Sequence, residues 1–202
     1  MDECEKSPIS RKVDMKKRVF YSFHYEDDCA RAAQVRNIGV VEGNRPASDN
    51  DWQTITRGGD RAIEKWIHDQ LDGCCCTIVL IGEHTAQRKW VRYEIGESWK
   101  AGKGVFGIYI HRLKNLKGKQ GVKGKNPFNH IKVPRVLGQS NLADIVEAYA
   151  PPHRDSKRVY EHISDSISDW IDEAISIRTG WGWRACDFVR TLLSEEADPD
   201  LD

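Results

Sequence analysis

Two segments about seventy residues apart hold the side chains best suited to chemistry: Arg18-Val-Phe-Tyr-Ser-Phe-His-Tyr-Glu-Asp-Asp28 and Trp90-Val-Arg-Tyr-Glu-Ile95. The first reads as a buried strand that breaks into a polar loop. The second reads as the opening turns of a helix carrying a lone carboxylate, Glu94. In α/β proteins strand ends and helix starts meet at one edge of the sheet, and ligands sit there. The pair therefore predicts a nucleotide-type pocket with Glu94 aimed into it. A glutamate in the first turns of a helix also serves the helix dipole, an effect of up to about 1 kcal/mol. Ser22, Phe23, His24 and Tyr25, which leave the sheet together, add weight to a site.

Other chemistries lack their residues. No Walker-type lysine loop and no G-x-G-x-x-G follows the first strand, which disfavours ordinary NTPase or dehydrogenase chemistry. Ser22 has no G-x-S-x-G elbow. The histidines are dispersed. A receiver-like phosphoryl acceptor needs an aspartate at the end of the central strand, where this chain has Ile81 and Gly82. The cysteines Cys74, Cys75 and Cys76 are consecutive, and adjacent strand residues point to opposite faces, so they cannot close on one metal. With Cys4, Cys29 and Cys186 scattered and no C-x-x-C pair, they read as idle thiols of a reducing compartment. No metal is expected.

The elements that would position Glu94 follow from periodicity. Residues 1–16 are charged and aperiodic and read as a flexible leader. Arg18 to Phe23 is the first strand. Asp28 to Asn37 is a short helix, and Ile38 to Val41 a weak second strand. Glu42 to Thr56 reads as a polar loop over the sheet edge, with Trp52 as either a lid anchor or a stacking surface. Asp60 to Leu71 is a helix with Asp60 as its N-cap and Ile63, Trp66, Ile67 and Leu71 on its core face.

Cys76 to Gly82 reads as a central strand buried on both faces. Trp90 to Ala101 is a helix whose Val91, Ile95 and Trp99 pack on the sheet, closed by Gly102. Val105 to Ile110 is another strand. Arg112 to Lys125, rich in lysine and glycine, reads as a solvated mobile loop or as an electropositive arm for phosphate groups. Ile131 to Leu137 is a last, shorter strand. Ser156 to Ser176, with Val159, Ile163, Ile167, Ile171 and Ile175 at i+4 spacing, is a strong amphipathic helix. Trp181 to Leu193 reads as a short extra helix before an acidic tail. Strands alternating with helices mean a parallel sheet covered on both faces.

The chain has 202 residues and zero formal net charge, with 39% hydrophobic and 31% charged residues. That is one ordinary globular domain with trimmings. The balanced charge argues against a nucleic-acid partner. No apolar run approaches the roughly 20 residues needed to span a bilayer, and Met1 to Lys17 lacks the apolar core of a secretory signal. No membrane association is expected, and the compartment expected is the cytoplasm.

Val19-Phe-Tyr-Ser-Phe-His-Tyr-Glu-Asp27, Gly59-Asp60 before an amphipathic helix, Cys76-Thr-Ile-Val-Leu-Ile-Gly82 and Lys89-Trp-Val-Arg-Tyr-Glu-Ile95 occur in this order. Together they resemble the TIR-like family, and most of all the branch found as the TIR subunit of Thoeris anti-phage systems. The likeness runs from Arg18 to Ile110, with a weaker continuation through Asn126-Pro-Phe128. Glu42 to Asp51 departs from the pattern.

The resemblance implies a flavodoxin-like/TIR-like parallel sheet of about five strands with helices on both faces. It places the TIR-like domain at residues 17–178, with 179–202 as a C-terminal extension ending in the acidic tail. It implies an enzyme, an NAD nucleosidase or ADP-ribosyl cyclase, that takes NAD as substrate and cleaves its nicotinamide–ribose bond. Its product would be a cyclic ADP-ribose type signal read by a separate effector, with a phage-derived trigger and a homo-oligomer as further expected partners.

Glu94 stands where such enzymes keep the catalytic glutamate that holds the ribose hydroxyls. Ser22 and Phe23 would border the nicotinamide ribose, and His24 and Tyr25 would line the same edge. Trp52 would stack on a ring or act as a lid, and Arg92 would face phosphate or simply be exposed. Trp90 and Tyr93 read as packing residues and Glu97 as a solvated charge. The alternative is a non-catalytic TIR-type protein-interaction module.

Overall fold

A computed structural model describes residues 17–39, 41–43, 55–135 and 138–195. Both strands and α-helices are seen among them. In chain order they are β1 (Lys17–Phe23), α1 (Tyr25–Arg36), β2 (Val41–Gly43), α2 (Gly59–Leu71), β3 (Cys76–Ile81), α3 (Lys89–Lys100), β4 (Gly104–Tyr109), β5 (Lys132–Arg135), β6 (Gly138–Asn141), β7 (Ala148–Tyr149) and α4 (Ser156–Glu195). Short 3-10 turns lie between β3 and α3 and around the β5–β6 hairpin.

Five strands form one sheet in the order β2-β1-β3-β4-β7, and every pairing in it is parallel. After β1 the chain adds β2 on one side, then returns to add β3 on the other. The reversal places a topological switch point between β1 and β3, at the carboxyl ends of the strands, where side-by-side crossovers leave a crevice. The fold is α/β and flavodoxin-like, as the motif order predicts.

Alternation along β1 sorts the layers. Val19 and Tyr21 join Ile78, Leu80, Phe106 and Ile108 under α1 and α4. On the other face Phe20 meets Ile63, Ile67 and Leu71 of α2. Val79, Ile81 and Val105 meet Val91, Ile95 and Trp99 of α3. Strands β3 and β4 are buried at every position, as central strands of a covered parallel sheet must be.

Several expectations shift. Helix α1 starts at Tyr25, three residues early, so Glu26, Asp27 and Asp28 occupy its first turn and complement the helix dipole. Ile38 is not in a strand: its N–H closes α1 on Val35, its side chain is buried, and β2 begins at Val41. Asp60 does not cap α2, whose N-cap residue is Gly58; its carboxylate instead pairs with Lys89 of α3. Of the segment expected as the last strand, the described part, residues 131–135, does not extend the main sheet. Residues Lys132–Arg135 pair antiparallel with Gly138–Asn141 in a separate hairpin, and the fifth sheet strand is the two-residue Ala148–Tyr149.

The two C-terminal helices are one. Helix α4 runs unbroken from Ser156 to Glu195. The stretch between residues 176 and 181 is helical and is held down by α3: Arg178 Nε donates to the Trp99 carbonyl at 3.1 Å, its guanidinium lies 4.8 Å from the Trp99 ring centre, and Trp181 meets that ring edge-on.

The lysine-rich loop is anchored rather than loose. Leu113 is fully buried. Arg31 donates to the carbonyls of Leu113 and Lys119, Gln34 donates to that of Lys114, and Gly121 N–H donates to His111. The leader, Trp52 and the acidic tail beyond Glu195 lie outside the described residues.

Candidate active site at the switch point

Strand β1 brings Ser22 to the carboxyl edge of the sheet on the face covered by α2 and α3. Helix α3 follows β3, the next strand over, and turns Glu94 toward the same place. Ser22 Oγ donates a 2.5 Å hydrogen bond to Glu94 Oε2. Ser22 is 1% and Glu94 8% exposed. Burial strips water from the Glu94 carboxylate and pushes its pKa up to about 8, against the Ser22 hydrogen bond, which favours the ionised form. A carboxyl group that titrates near neutrality in a crevice is suited to hold or stabilise a cationic centre and to move a proton.

A buried polar pair sets the depth of Glu94. One turn further along α3, Ser98 Oγ donates to the Glu94 carbonyl at 2.6 Å and lies 2.7 Å from Thr77 Oγ1 of β3. Ser98 spends its hydroxyl proton on the carbonyl, so Thr77 is the donor of the second bond. Both side chains are fully buried. The pair locks the register of helix against strand directly beneath the carboxylate.

Beside Ser22 lies a second polar cluster. His24 is buried, and its Nδ1 is 2.8 Å from Asp27 Oδ2. The same oxygen is 2.9 Å from His84 Nδ1, so one carboxylate ties β1 to the loop after β3. Asp27 loses some hydration there, but the hydrogen bonds and charges of His84 and His24 prevail and hold its pKa below the usual carboxylate range. Arg88, immediately before α3, reaches Glu26 at 3.7 Å and approaches His24 Nδ1 at 3.5 Å. The starts of α1 and α3 are thereby linked around the mouth of the crevice.

Of the residues singled out in the sequence, Ser22 and Glu94 meet directly, and His24 stands beside them on the same strand end. Phe23 points the other way, because successive strand residues alternate; it packs against the core under α1 and α4, with its ring 6.3 Å from that of Tyr25. Tyr25 is 44% exposed at the start of α1. Arg92 is exposed, and two residues along a helix from Glu94 it projects from the opposite side. Trp90, one turn before Glu94, is half-buried and packs edge-on against Tyr93. Glu97 pairs with Lys100 and lies 3.7 Å from His68.

The sequence reading missed Thr77, Ser98, His84 and Arg88. Ser98 at i+4 from Glu94, within an otherwise apolar stripe, was the one available signal.

The end of β3 is closed from the side. A side chain at Gly82 would put its Cβ 1.9 Å from Asp28 Oδ2. The Asp28 carboxylate, bound through Oδ1 to Arg31 at 3.0 Å, fills the place where a receiver-like domain would hold its phosphoryl acceptor. Among the described residues, no group of three or more His, Cys, Asp or Glu side chains is placed to hold a metal ion. No helix among them is long and apolar enough to cross a membrane.

Residues 20–115 match the family described as Thoeris protein ThsB, TIR-like domain. A relative from Bacillus cereus (strain MSX-D12), named "Putative cyclic ADP-D-ribose synthase ThsB1", is 38% identical over a 122-residue alignment that covers 58% of this chain and 64% of the relative. The chain thus spans a little under two thirds of that relative's length. The family match runs from within β1 to beyond β4 and contains both Ser22 and Glu94. By its motif order, its parallel sheet and these two matches, the stretch from residue 20 to residue 115 is similar to the Thoeris TIR-like family.

Proposed function

We propose that this chain consumes NAD, cleaving the bond between nicotinamide and ribose at Glu94 and closing the remaining ADP-ribose on itself into a cyclic signal. A separate effector would read that signal during phage infection. The observation that carries the reading is the buried Glu94 carboxyl group, bound to Ser22 at the switch point of the sheet. The name of the Bacillus cereus relative supports the choice of a cyclic product.

The chemistry suits one carboxylate. The C–N bond breaks with both electrons going to the pyridinium nitrogen, so nicotinamide leaves as a neutral molecule. Positive charge develops on the ribose anomeric carbon and ring oxygen, as in glycoside cleavage generally. An ionised Glu94 held beside that carbon stabilises the charge and orients the ribose hydroxyls. A nucleophile elsewhere in the same molecule then bonds to the carbon, and any proton it carries passes to Glu94 or water. With a pKa near 8, Glu94 is mostly neutral before substrate arrives. The cationic nicotinamide ring favours the ionised form, so substrate charges the carboxylate that acts on it.

Nucleotides extracted from infected cells and separated by mass spectrometry test the reading. A species of ADP-ribose mass less water that appears with the native chain and is absent with Glu94→Gln supports a cyclase. A linear ADP-ribose species that depends on Glu94 corrects the product to that of a hydrolase. Protection that persists in the Glu94→Gln chain, with no such species, overturns catalysis and favours the interaction-module reading.

A further inference from the structure

The formal net charge of zero conceals a strong asymmetry. From Ser98 to Ala143 there is no aspartate or glutamate, while there are ten lysines and arginines. Five of them, Lys114, Lys117, Lys119, Lys123 and Lys125, are exposed on the loop after β4. Leu116 and Val122 stand out from the same loop at 92% and 62% exposure, two of only three large apolar side chains exposed among the described residues. The loop is preorganised. Buried Arg31 holds the Leu113 and Lys119 carbonyls, and the backbone of Gly124 lies against the Gly82 carbonyl. A rigid basic surface that displays two aliphatic side chains and no aromatic suits an acidic peptide with an apolar side chain better than it suits stacked bases.

The chain carries a segment of that composition. Residues 195–202, Glu-Glu-Ala-Asp-Pro-Asp-Leu-Asp, hold five carboxylates and one leucine. Geometry decides whose segment can reach the loop. Helix α4 starts beside it, where Ser156 Oγ accepts from Lys114 N–H, and runs for 40 residues. At 1.5 Å per residue that carries Glu195 about 60 Å away. Seven further residues, fully extended, span at most ~25 Å. The segment therefore cannot return to the loop of its own copy.

We propose that the acidic 195–202 segment of one copy docks on the lysine-rich loop of another, joining copies head to tail. Such a contact uses two different surfaces, so it propagates into rings or open chains rather than stopping at a two-fold dimer. It rests on charge and reach, and is independent of the NAD-consuming reading.

Sedimentation velocity of the full chain across concentration and salt tests it, with charge reversal on each side: Lys117→Glu/Lys119→Glu/Lys123→Glu on the loop, and Glu195→Lys/Glu196→Lys/Asp198→Lys/Asp200→Lys on the tail. The expected result is association at low ionic strength that weakens at least tenfold by 0.5 M salt, where charges more than a few Å apart are screened. Either reversal should abolish it, and a chain carrying both should associate again. The combined chain distinguishes lost attraction from a misfolded loop. A wild-type chain that stays monomeric overturns the proposal. So does association that survives tail reversal, since another acidic surface would then be the loop's partner.

Discussion

Ser22 Oγ sits 2.5 Å from Glu94 Oε2, although 72 residues separate the two in the chain. Among the described residues, the Ser22 hydroxyl supplies the side-chain hydrogen bond that lowers the Glu94 pKa against the burial that raises it. Its removal should be read in the carboxyl group. Ser22→Ala should raise the Glu94 pKa further and lower kcat/KM for NAD at pH 7 by roughly tenfold, the scale of one lost hydrogen bond to a charged group. A pH profile of kcat/KM whose rising limb moves to higher pH in the variant confirms the link; an unmoved limb contradicts it.

Stability should carry the signature of the same group. The folded Glu94 pKa, about 8, lies above its ordinary value of 4.5. Between those values the folded chain holds a proton that the unfolded chain has released, so stability falls as pH rises from about 4.5 to 8 and levels off above. Glu94→Gln removes this loss. Chemical unfolding should find the variant more stable than the native chain by a few kcal/mol at pH 9, with little difference at pH 4.

Thr77 and Ser98 form a buried pair whose halves depend on each other. Thr77→Val deletes one hydroxyl and keeps the shape. It should cost about 1–2 kcal/mol and lower the unfolding midpoint. Ser98→Ala should cost a similar amount by leaving Thr77 without its acceptor. Because the two act on one contact, the double variant should cost less than the sum, which a double-mutant cycle measures directly.

Gly82→Ala should be among the most damaging small substitutions in the sheet. Its Cβ would overlap the buried Asp28 carboxylate, which is fixed by Arg31. A loss of about 3 kcal/mol or more is expected, seen as a lower thermal midpoint. Adding Asp28→Ala relieves the overlap but leaves Arg31 without its carboxylate, so only partial recovery should follow.

Arg31→Met should free the lysine-rich loop while keeping much of the side chain's apolar bulk. Trypsin should then cut between Arg112 and Lys125 several-fold faster than in the native chain, with far-UV circular dichroism unchanged. Equal cutting rates would mean that the remaining anchors, among them Leu113, Gln34, Gln120, Gly121 and Gly124, hold the loop without Arg31.

The layers were legible wherever a segment was long and periodic. The apolar run of Cys76–Ile81, the i+4 isoleucines of α4 and the Val91, Ile95, Trp99 stripe each reported burial by spacing alone. What escaped was set by contacts distant in sequence. Strand β7 has two residues and no period to read. The gap left between the helices expected at Ser156–Ser176 and Trp181–Leu193 closes only when Trp99 is seen to meet Arg178 and Trp181. The lysine-rich loop reads as mobile because its anchors are backbone carbonyls, which leave no trace in composition.

At the site, strand end and helix start were legible, and Ser22 and Glu94 meet there. Phe23 was grouped with Ser22 by adjacency, but the two-residue period of a strand sends neighbours to opposite faces. The Asp27 bridge between His24 and His84 needs two loops to converge, which no local pattern encodes.

Gly124 rests on the Gly82 carbonyl so closely that a Cβ at Gly124 would sit 1.8 Å from that oxygen, whereas the far end of the loop is a small turn in which Asn115 bonds to Lys117, Gly118 and Lys119, and Arg31 holds the turn at the Lys119 carbonyl. The loop therefore has a base that tolerates no change and a tip that tolerates a great deal. Insertions or foreign sequences spliced between Leu116 and Gly118 should leave the crevice intact, so what this tip touches can be exchanged without disturbing its foot.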